Sequence, residues 1–171
     1  MSQGNIYQER YWRELHQIKT HVIYLDEYFL RSEAIDTKVD AVLAVVSSGS
    51  IGGWAVWQQY QTLWALIIAA SQVVTVLRRF LPYKKRLQMI PGLRRELEEL
   101  FLFAEKRWYD VSEGILTQQQ IHKLQCDIRE RKARIQHQYR ASTLLPDQAD
   151  YLSKAKQRAV RYFKDFYLME G

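Results

Sequence analysis

Cysteine, glycine and proline are scarce in this sequence, and their scarcity restricts both its chemistry and its fold. The 171 residues include one cysteine, 7 glycines and 3 prolines. A single cysteine, Cys126, excludes an intramolecular disulfide and a thiolate metal cluster, and it favours a reducing compartment. Because glycine and proline mark most turns, so few of them over this length argue against many short strands. We therefore expect an all-α protein.

Signatures of catalysis and of metal binding are also missing. No two histidines have the H-E-x-x-H spacing or the clustered Cys/His spacing of a metal site; the histidines are His16, His21, His122 and His137. The glycine-rich segment 49–53 lacks the Gly-Lys-Ser/Thr ending of a phosphate loop and lies inside an apolar run. We expect a protein that is not an enzyme, with no catalytic residue, no metal and no cofactor.

Charged residues are absent from two neighbouring stretches, 41–57 and 62–77, which a short polar break separates. Each is slightly shorter than the roughly 20 residues that span a bilayer core. Flanking aromatic and long basic side chains can extend such spans to the headgroup level. We predict a membrane-spanning two-helix hairpin over residues 36–81. The alternative is a buried hairpin in a soluble core, which the rest of this small chain would have to cover on every face.

Basic residues crowd the end of the second stretch, whereas the break between the two stretches has none. The juxtamembrane basic residues are Arg78, Arg79, Lys84, Lys85 and Arg86. Under the positive-inside rule, this asymmetry predicts that both termini lie on the cytoplasmic side. Pro82 and Pro91-Gly92 interrupt helices, so we predict a juxtamembrane elbow over residues 82–92.

Small and polar side chains within the hairpin predict where it makes contacts. One face of the first stretch carries small residues four apart, which let another backbone approach closely; this helix-packing set is Ala44, Ser48, Gly49, Gly52 and Gly53. The set serves equally well within one hairpin or between hairpins. A glutamine in hydrocarbon needs a polar partner, so Gln72 should face another helix or a water path. The candidate pore-lining residues are Asp36, Asp40, Gln61, Gln72 and Thr75. For the two aspartates, pairing with Arg78 or Lys38 is the alternative.

Stripes of apolar residues at steps of three and four lie on both sides of the hairpin. The first stripe, within residues 1–35, is either a coiled-coil seam or the core face of an ordinary helix; it comprises Tyr11, Leu15, Ile18, Val22, Leu25 and Phe29. Three more stripes begin at Leu93, Ile121 and Tyr151. Gly114 has the place of a C-cap, and Thr117 with Gln120 has the form of a capping box. We predict an N-terminal amphipathic cytoplasmic helix over 1–35 and a cytoplasmic helical region over 93–171.

This arrangement resembles the SLATT family of bacterial proteins, in which a pair of transmembrane helices is followed by cytoplasmic helices. The segment from Leu93 to Gln125, with Trp108 followed by Gly114-Ile115-Leu116-Thr117, carries most of the resemblance. The resemblance implies a membrane effector that oligomerises and perforates or depolarises the bacterial inner membrane in abortive infection. It also implies a homo-oligomer as the active form and a separate sensor protein as the source of the signal.

A net charge of +6 and a pI near 9.4 leave a second interpretation open. The protein would then be a non-conducting membrane anchor or adaptor whose basic helices hold a partner protein or nucleic acid. The basic residues concerned are Arg129, Arg131, Lys132, Arg134 and Arg140. Arginines on a helix usually form a solvated face, so nucleic acid is the less favoured partner.

Overall fold

Helices account for nearly all of the chain that the structure describes. The computed structural model describes the backbone of residues 3–56, 61–80, 83–139 and 149–167. Within these ranges it describes the side chains of all residues except 3–5, 46–56, 61, 63–64, 77–80 and 83–86. The helices are α1 Gln3–Val56, α2 Gln61–Phe80, α3 Tyr83–Ser112, α4 Gln118–Gln138 and α5 Ala149–Tyr167. The described residues include no strand, so the predicted all-α fold is confirmed.

The chain forms two compact units. Unit 1 comprises Met1–Phe29 and Met89–Gly171, and unit 2 comprises Leu30–Gln88. Unit 2 therefore includes the whole of the hairpin predicted over residues 36–81. Unit 1 includes α4, α5, the first part of α1 and most of α3, which are the parts of the chain with apolar stripes.

The apolar stripe of α1 lies in the core of unit 1. Tyr11, Leu15, Ile18, Val22 and Leu25 are each at most 1% exposed. They share two core clusters with residues of α3, α4 and α5, chiefly Leu93, Leu97, Leu100, Phe101, Ile121, Ile128 and Phe163. Burial of a side chain of this size stabilises a fold by about 1.5–3 kcal/mol. The stripe thus serves packing inside unit 1, in a coiled-coil-like helical fold.

Buried polar side chains join α1 to its neighbours in unit 1. The Tyr11 hydroxyl donates to the carbonyl of Ala104 in α3 over 2.8 Å. The buried amide of Gln125 in α4 donates to the carbonyl of Arg10 over 3.3 Å. Burial raises the pKa of Tyr11, so its hydroxyl keeps its proton and stays a donor. Each bond satisfies a buried polar group and fixes the position of α1 along its neighbour.

The connection between α3 and α4 has the caps that the sequence predicts. Gly114 adopts a φ of +69°, in the left-handed region that glycine enters without steric cost. Thr117 is the N-cap of α4, and its hydroxyl accepts from the backbone N–H of Gln120. The Gln120 side chain accepts in return from the backbone N–H of Thr117 over 2.8 Å. Both predicted caps are confirmed, and they turn the chain tightly between two helices of unit 1.

The helix break predicted at Pro91-Gly92 does not occur. α3 is continuous through Pro91, so the elbow predicted over residues 82–92 is helical from its second residue onward. A proline inside a helix removes one backbone hydrogen bond. Its neighbours Ile90 and Leu93 are almost completely buried, and their packing offsets that loss. The sequence predicted a break from the proline alone, because it does not show the tertiary contacts that Ile90 and Leu93 make on either side of it.

Gly92 allows an aromatic ring to approach α3 closely. A Cβ atom at this position would lie 2.9 Å from the hydroxyl oxygen of Tyr139 and 3.0 Å from its Cε1. The Tyr139 hydroxyl donates to Glu96 over 2.7 Å, one helical turn further along α3. A side chain at position 92 would have to displace the Tyr139 ring, so glycine favours this close approach.

The predicted membrane-spanning hairpin requires helices that are long and apolar enough to cross a bilayer. Over the residues that the structure describes, no helix is both long enough and apolar enough to cross a membrane. The two uncharged stretches include many residues whose side chains lie outside the described set. The membrane-spanning hairpin therefore stays a prediction.

Candidate functional site

Unit 2 exposes large apolar side chains on both of its principal helices. We call those that lie in the two uncharged stretches the apolar surface of unit 2; they are Val42 and Val45 in α1, and Leu66, Ile68, Val73, Val74 and Val76 in α2, each more than a third exposed. The sequence from residue 62 to residue 77 contains no charged side chain that could keep this surface in water. Exposed large apolar side chains in this number are typical of a site that contacts a protein partner or a membrane.

Two hydroxyl groups of α2, those of Ser71 and Thr75, bond to the helix itself. Ser71 Oγ donates to the carbonyl of Ile68 over 2.7 Å, and Thr75 Oγ1 donates to the carbonyl of Ser71 over 2.8 Å. A hydroxyl bonded in this way can be placed in an apolar environment without an unsatisfied donor. The polar residues of α2 are therefore compatible with an apolar neighbour, except where the side chain is an amide.

Five predicted site residues of unit 2 have described side chains. Gln72 and Thr75 are exposed and lie three residues apart, on one side of α2. Asp36 is half-buried and Asp40 is exposed, one turn apart on α1, and both take part in polar interactions. Ala44 is exposed on the next turn.

The other predicted site residues lie outside the described side chains. They are Ser48, Gly49, Gly52 and Gly53 of the helix-packing set, Gln61 of the pore-lining set, and the basic residues Arg78, Arg79, Lys84, Lys85 and Arg86. Their backbones are helical, in α1, α2 and α3. The roles assigned to them from the sequence stay predictions.

A buried ion cluster lies between α1 and α4 in unit 1. The Glu14 side chain is only 8% exposed, and its two oxygens accept from Arg129 Nε over 2.9 Å and from Lys132 Nζ over 3.0 Å. Burial alone would raise the pKa of Glu14, but the bonds from Lys132 and Arg129 outweigh it and lower the pKa. Glu14 is therefore ionised at neutral pH, and it neutralises a lysine that is itself largely buried.

Sequence reasoning missed Glu14, although one sign of it was visible. Lys132 interrupts the apolar stripe of α4 at a position where the pattern requires a core residue. A cation at such a position needs a buried anion, because an unpaired charge in an apolar interior is very costly. The sequence could not show which acidic residue supplies that anion, since Glu14 is more than a hundred positions away.

His21 lies near the same cluster. Burial, together with the positive charge of Lys132, lowers the pKa of His21, while Glu14 opposes the shift. Its Nδ1 atom is buried and has no hydrogen-bond partner among the described residues. His21 is thus neutral at physiological pH and adds no charge to the cluster.

Two shallow depressions lie side by side over the ion cluster, and we call them together the α1–α4 groove. One, of about 330 Å³, is lined by Arg10, Arg13, Glu14, Gln17, His122, Gln125 and Arg129. The other, of about 390 Å³, is lined by Glu14, Gln17, Arg129, Lys132, Ala133 and Gln136. Arg129 borders both depressions. Four cations, one carboxylate and three amides make this lining strongly polar and positive.

Two aromatic rings, one from α3 and one from α5, flank Lys19 of α1. Lys19 Nζ lies 4.4 Å from the ring centre of Phe101 and 4.2 Å from that of Tyr162, and it pairs with Glu98 over 3.4 Å. The hydroxyl of Tyr162 donates to Glu105 over 2.8 Å. These cation–π and hydrogen-bond contacts attach α5 to α1 and α3, so their role is structural.

Tyr167 extends the same arrangement toward the surface. Its hydroxyl donates to Glu105 over 3.1 Å. Burial, with the adjacent charge of Glu105, raises the pKa of Tyr167 to about 12. The residue is therefore neutral at any physiological pH, and it offers no nucleophile or base.

Among the described residues, no group of three or more His, Cys, Asp or Glu side chains could hold a metal ion. Comparison with known proteins gave no match to a family model, to a curated protein or to a solved structure. The resemblance to the SLATT family therefore stays a prediction. The geometry leaves two surfaces with functional potential, namely the apolar surface of unit 2 and the α1–α4 groove of unit 1.

Proposed function

We propose that the protein is a bacterial membrane effector: unit 2 enters the membrane as a helical hairpin, several copies associate, and the assembly perforates or depolarises the inner membrane. The observation that carries the proposal is the apolar surface of unit 2. Unit 1 buries its apolar stripes in its own core, whereas the two uncharged stretches of unit 2 leave seven large aliphatic side chains exposed.

The size of this surface indicates that something covers it. Full burial of one aliphatic side chain of this kind is worth about 1.5–3 kcal/mol. At roughly half exposure, seven such side chains leave about 5–10 kcal/mol of burial unrealised. That amount is comparable to the whole stability of a typical domain. A lipid environment, with or without further copies of the hairpin, would remove this cost.

The polar residues of α2 support an association of hairpins. Ser71 and Thr75 bond to their own helix, so Gln72 is the side chain of this segment that still needs donors and acceptors. A second amide from a neighbouring copy, or a water path, would supply them. Gln72 is therefore the residue that we place at the contact between hairpins, beside the pore.

A non-conducting anchor or adaptor is the second candidate function. One observation favours it: Arg129, Arg131 and Arg134 are exposed on α4 of unit 1, where a partner could reach them. Both functions require unit 2 in the membrane, and they differ in whether ions cross.

Membrane insertion is testable with two matched valines, because the chain has a single native cysteine. In a Cys126→Ser background, Val73→Cys places a thiol on unit 2 and Val160→Cys places one on unit 1. The two valines are 56% and 58% exposed. We expect a membrane-impermeant maleimide to label Val160→Cys quickly in inside-out vesicles and to leave Val73→Cys unlabelled until detergent is added. Equal labelling of both, or release of the protein by carbonate washing, would contradict insertion.

Ion conduction is a separate measurement. Induction of the wild type in cells loaded with a potential-sensitive dye should depolarise the membrane. We expect Gln72→Leu to reduce the depolarisation at equal membrane content, and Gln157→Leu, an exposed glutamine of α5, to leave it unchanged. If membrane-inserted wild type does not depolarise the cells, the anchor or adaptor function replaces the effector.

A further inference from the structure

The α1–α4 groove has a composition that is unusual for a contact between two amphipathic helices. Apart from Ala133, each lining residue carries a charged or hydrogen-bonding side chain. The four cations Arg10, Arg13, Arg129 and Lys132 outnumber the two carboxylates that pair with them, which are Glu14 in the lining and Glu9 beside Arg13. The groove therefore has a positive potential, and its amides can donate hydrogen bonds to an anion.

Two of the cations are not consumed by the ion cluster. Arg10 pairs with no carboxylate among the described residues, and its guanidinium lies 5.8 Å from the ring centre of Tyr7. Arg129 is 60% exposed and lines both depressions; it uses Nε for Glu14, so its two terminal nitrogens are not engaged in that bond. The bond to Glu14 places the Arg129 guanidinium at the border of both depressions, where its remaining donors can reach an anion.

The cations are also spread along the groove. Arg10 and Arg13 lie in the first depression, Lys132 lies in the second, and Arg129 borders both. A chain of linked phosphate groups is an extended anion and can lie along both depressions, which together are lined by the four cations.

We propose that the α1–α4 groove binds a small anion containing several linked phosphate groups, such as a polyphosphate or the phosphate chain of a nucleotide. The groove lies entirely in unit 1, so this proposal does not depend on membrane insertion of unit 2. Nucleic acid fits less well, because the described lining contains no phenylalanine, tyrosine or tryptophan on which a base could stack.

The proposal can be tested by calorimetric titration with inorganic tripolyphosphate. The titration uses the whole chain in zwitterionic detergent. The informative variant is the double substitution Arg10→Gln/Arg13→Gln, because neither arginine bonds to Glu14 and the fold of unit 1 should survive. The matched control is Arg95→Gln/Lys106→Gln, which removes the same charge from exposed positions outside the groove. Thermal unfolding of all three proteins checks that they are folded.

We expect tripolyphosphate to bind the wild type, the groove variant to bind it roughly tenfold or more weakly, and the control variant to stay within about twofold. Glycerol phosphate, which carries the single phosphate of a lipid headgroup, should bind much more weakly than tripolyphosphate. Absence of binding, or equal weakening in both variants, would overturn the proposal. Equal affinity for glycerol phosphate would overturn the requirement for linked phosphates. Tighter binding of a single-stranded oligonucleotide, lost in the groove variant, would replace the small anion with nucleic acid.

Discussion

Glu14→Gln removes one buried charge from unit 1 with almost no change of side-chain shape. Glutamine can still accept a hydrogen bond at Oε1, but its amide nitrogen faces a cation where the carboxylate oxygen was. Lys132 is only 13% exposed, so it loses a partner that it cannot replace fully with water. Arg129 is largely exposed and can turn to solvent, so its contribution is smaller.

The magnitude follows from these two exposures. A hydrogen bond to a charged group is worth about 1.5–3 kcal/mol, and breaking a buried pair costs about 3–5 kcal/mol. Because Lys132 is largely buried, we assign most of the lost stabilisation to its bond with Glu14. The Arg129 bond resembles an exposed ion pair, which is worth about 0–1 kcal/mol. We expect Glu14→Gln to lower the free energy of unfolding by about 2–4 kcal/mol at neutral pH.

The loss of stability in Glu14→Gln should become smaller in acid. The pKa of Glu14 is lower in the folded protein than its usual value of 4.5. Its stabilisation is therefore complete above pH 4.5 and is lost as the pH falls through the folded-state pKa. The difference in stability between wild type and Glu14→Gln should shrink as the pH falls below that value.

Both expectations are tested by measuring the free energy of unfolding of wild type and Glu14→Gln at neutral pH and in acid. The measurement is chemical denaturation followed by circular dichroism. The control is Glu9→Gln, which removes an exposed carboxylate that pairs with Arg13 one turn away on the same helix. That substitution should cost about 0.5 kcal/mol or less. Equal effects of the two substitutions, or a loss in Glu14→Gln that is independent of pH, would refute the argument that burial makes the Glu14 cluster strong.

Two further substitutions test the packing of unit 1. Gly92→Ala should lower the free energy of unfolding by about 1 kcal/mol in spite of the higher helix propensity of alanine, because the new Cβ would lie 2.9 Å from the Tyr139 hydroxyl. In a Tyr139→Leu background the same change should become neutral or stabilising, and a cost of the same size in both backgrounds would contradict the contact. Phe101→Ala should lower the free energy of unfolding by about 3–5 kcal/mol, since Phe101 is completely buried. Leu102→Ala, at its exposed neighbour, should lower it by less than about 1 kcal/mol. Thermal unfolding compares the two variants, and similar losses would contradict the burial of Phe101 in the core.

The helices of unit 1 follow from local patterns. The stripes beginning at Tyr11 and Leu93 supply about half of the buried hydrophobic residues, and the caps at Gly114 and Thr117 are found where the sequence predicts them. Period and capping depend on residues within a few positions of one another. A single sequence therefore contains all the information that such predictions need.

The candidate site was only partly predictable for the opposite reason. The partnership of Glu14 with Lys132 joins residues of two helices far apart in the chain, and the sequence shows only the misplaced lysine. The exposure of Val73 and its neighbours also needed the fold, because an uncharged run has the same sequence whether protein covers it or not.

The sequence by itself determined that the chain is helical, where the turn between α3 and α4 lies, and which face of each helix in unit 1 is apolar. Only the tertiary structure decided that the stripe of α1 is buried within its own chain, that α3 continues through Pro91, and that Glu14 meets Arg129 and Lys132. The physical reason is that helix period and caps are local properties. Burial, charge pairing and tolerance of a proline depend instead on which helices lie beside one another.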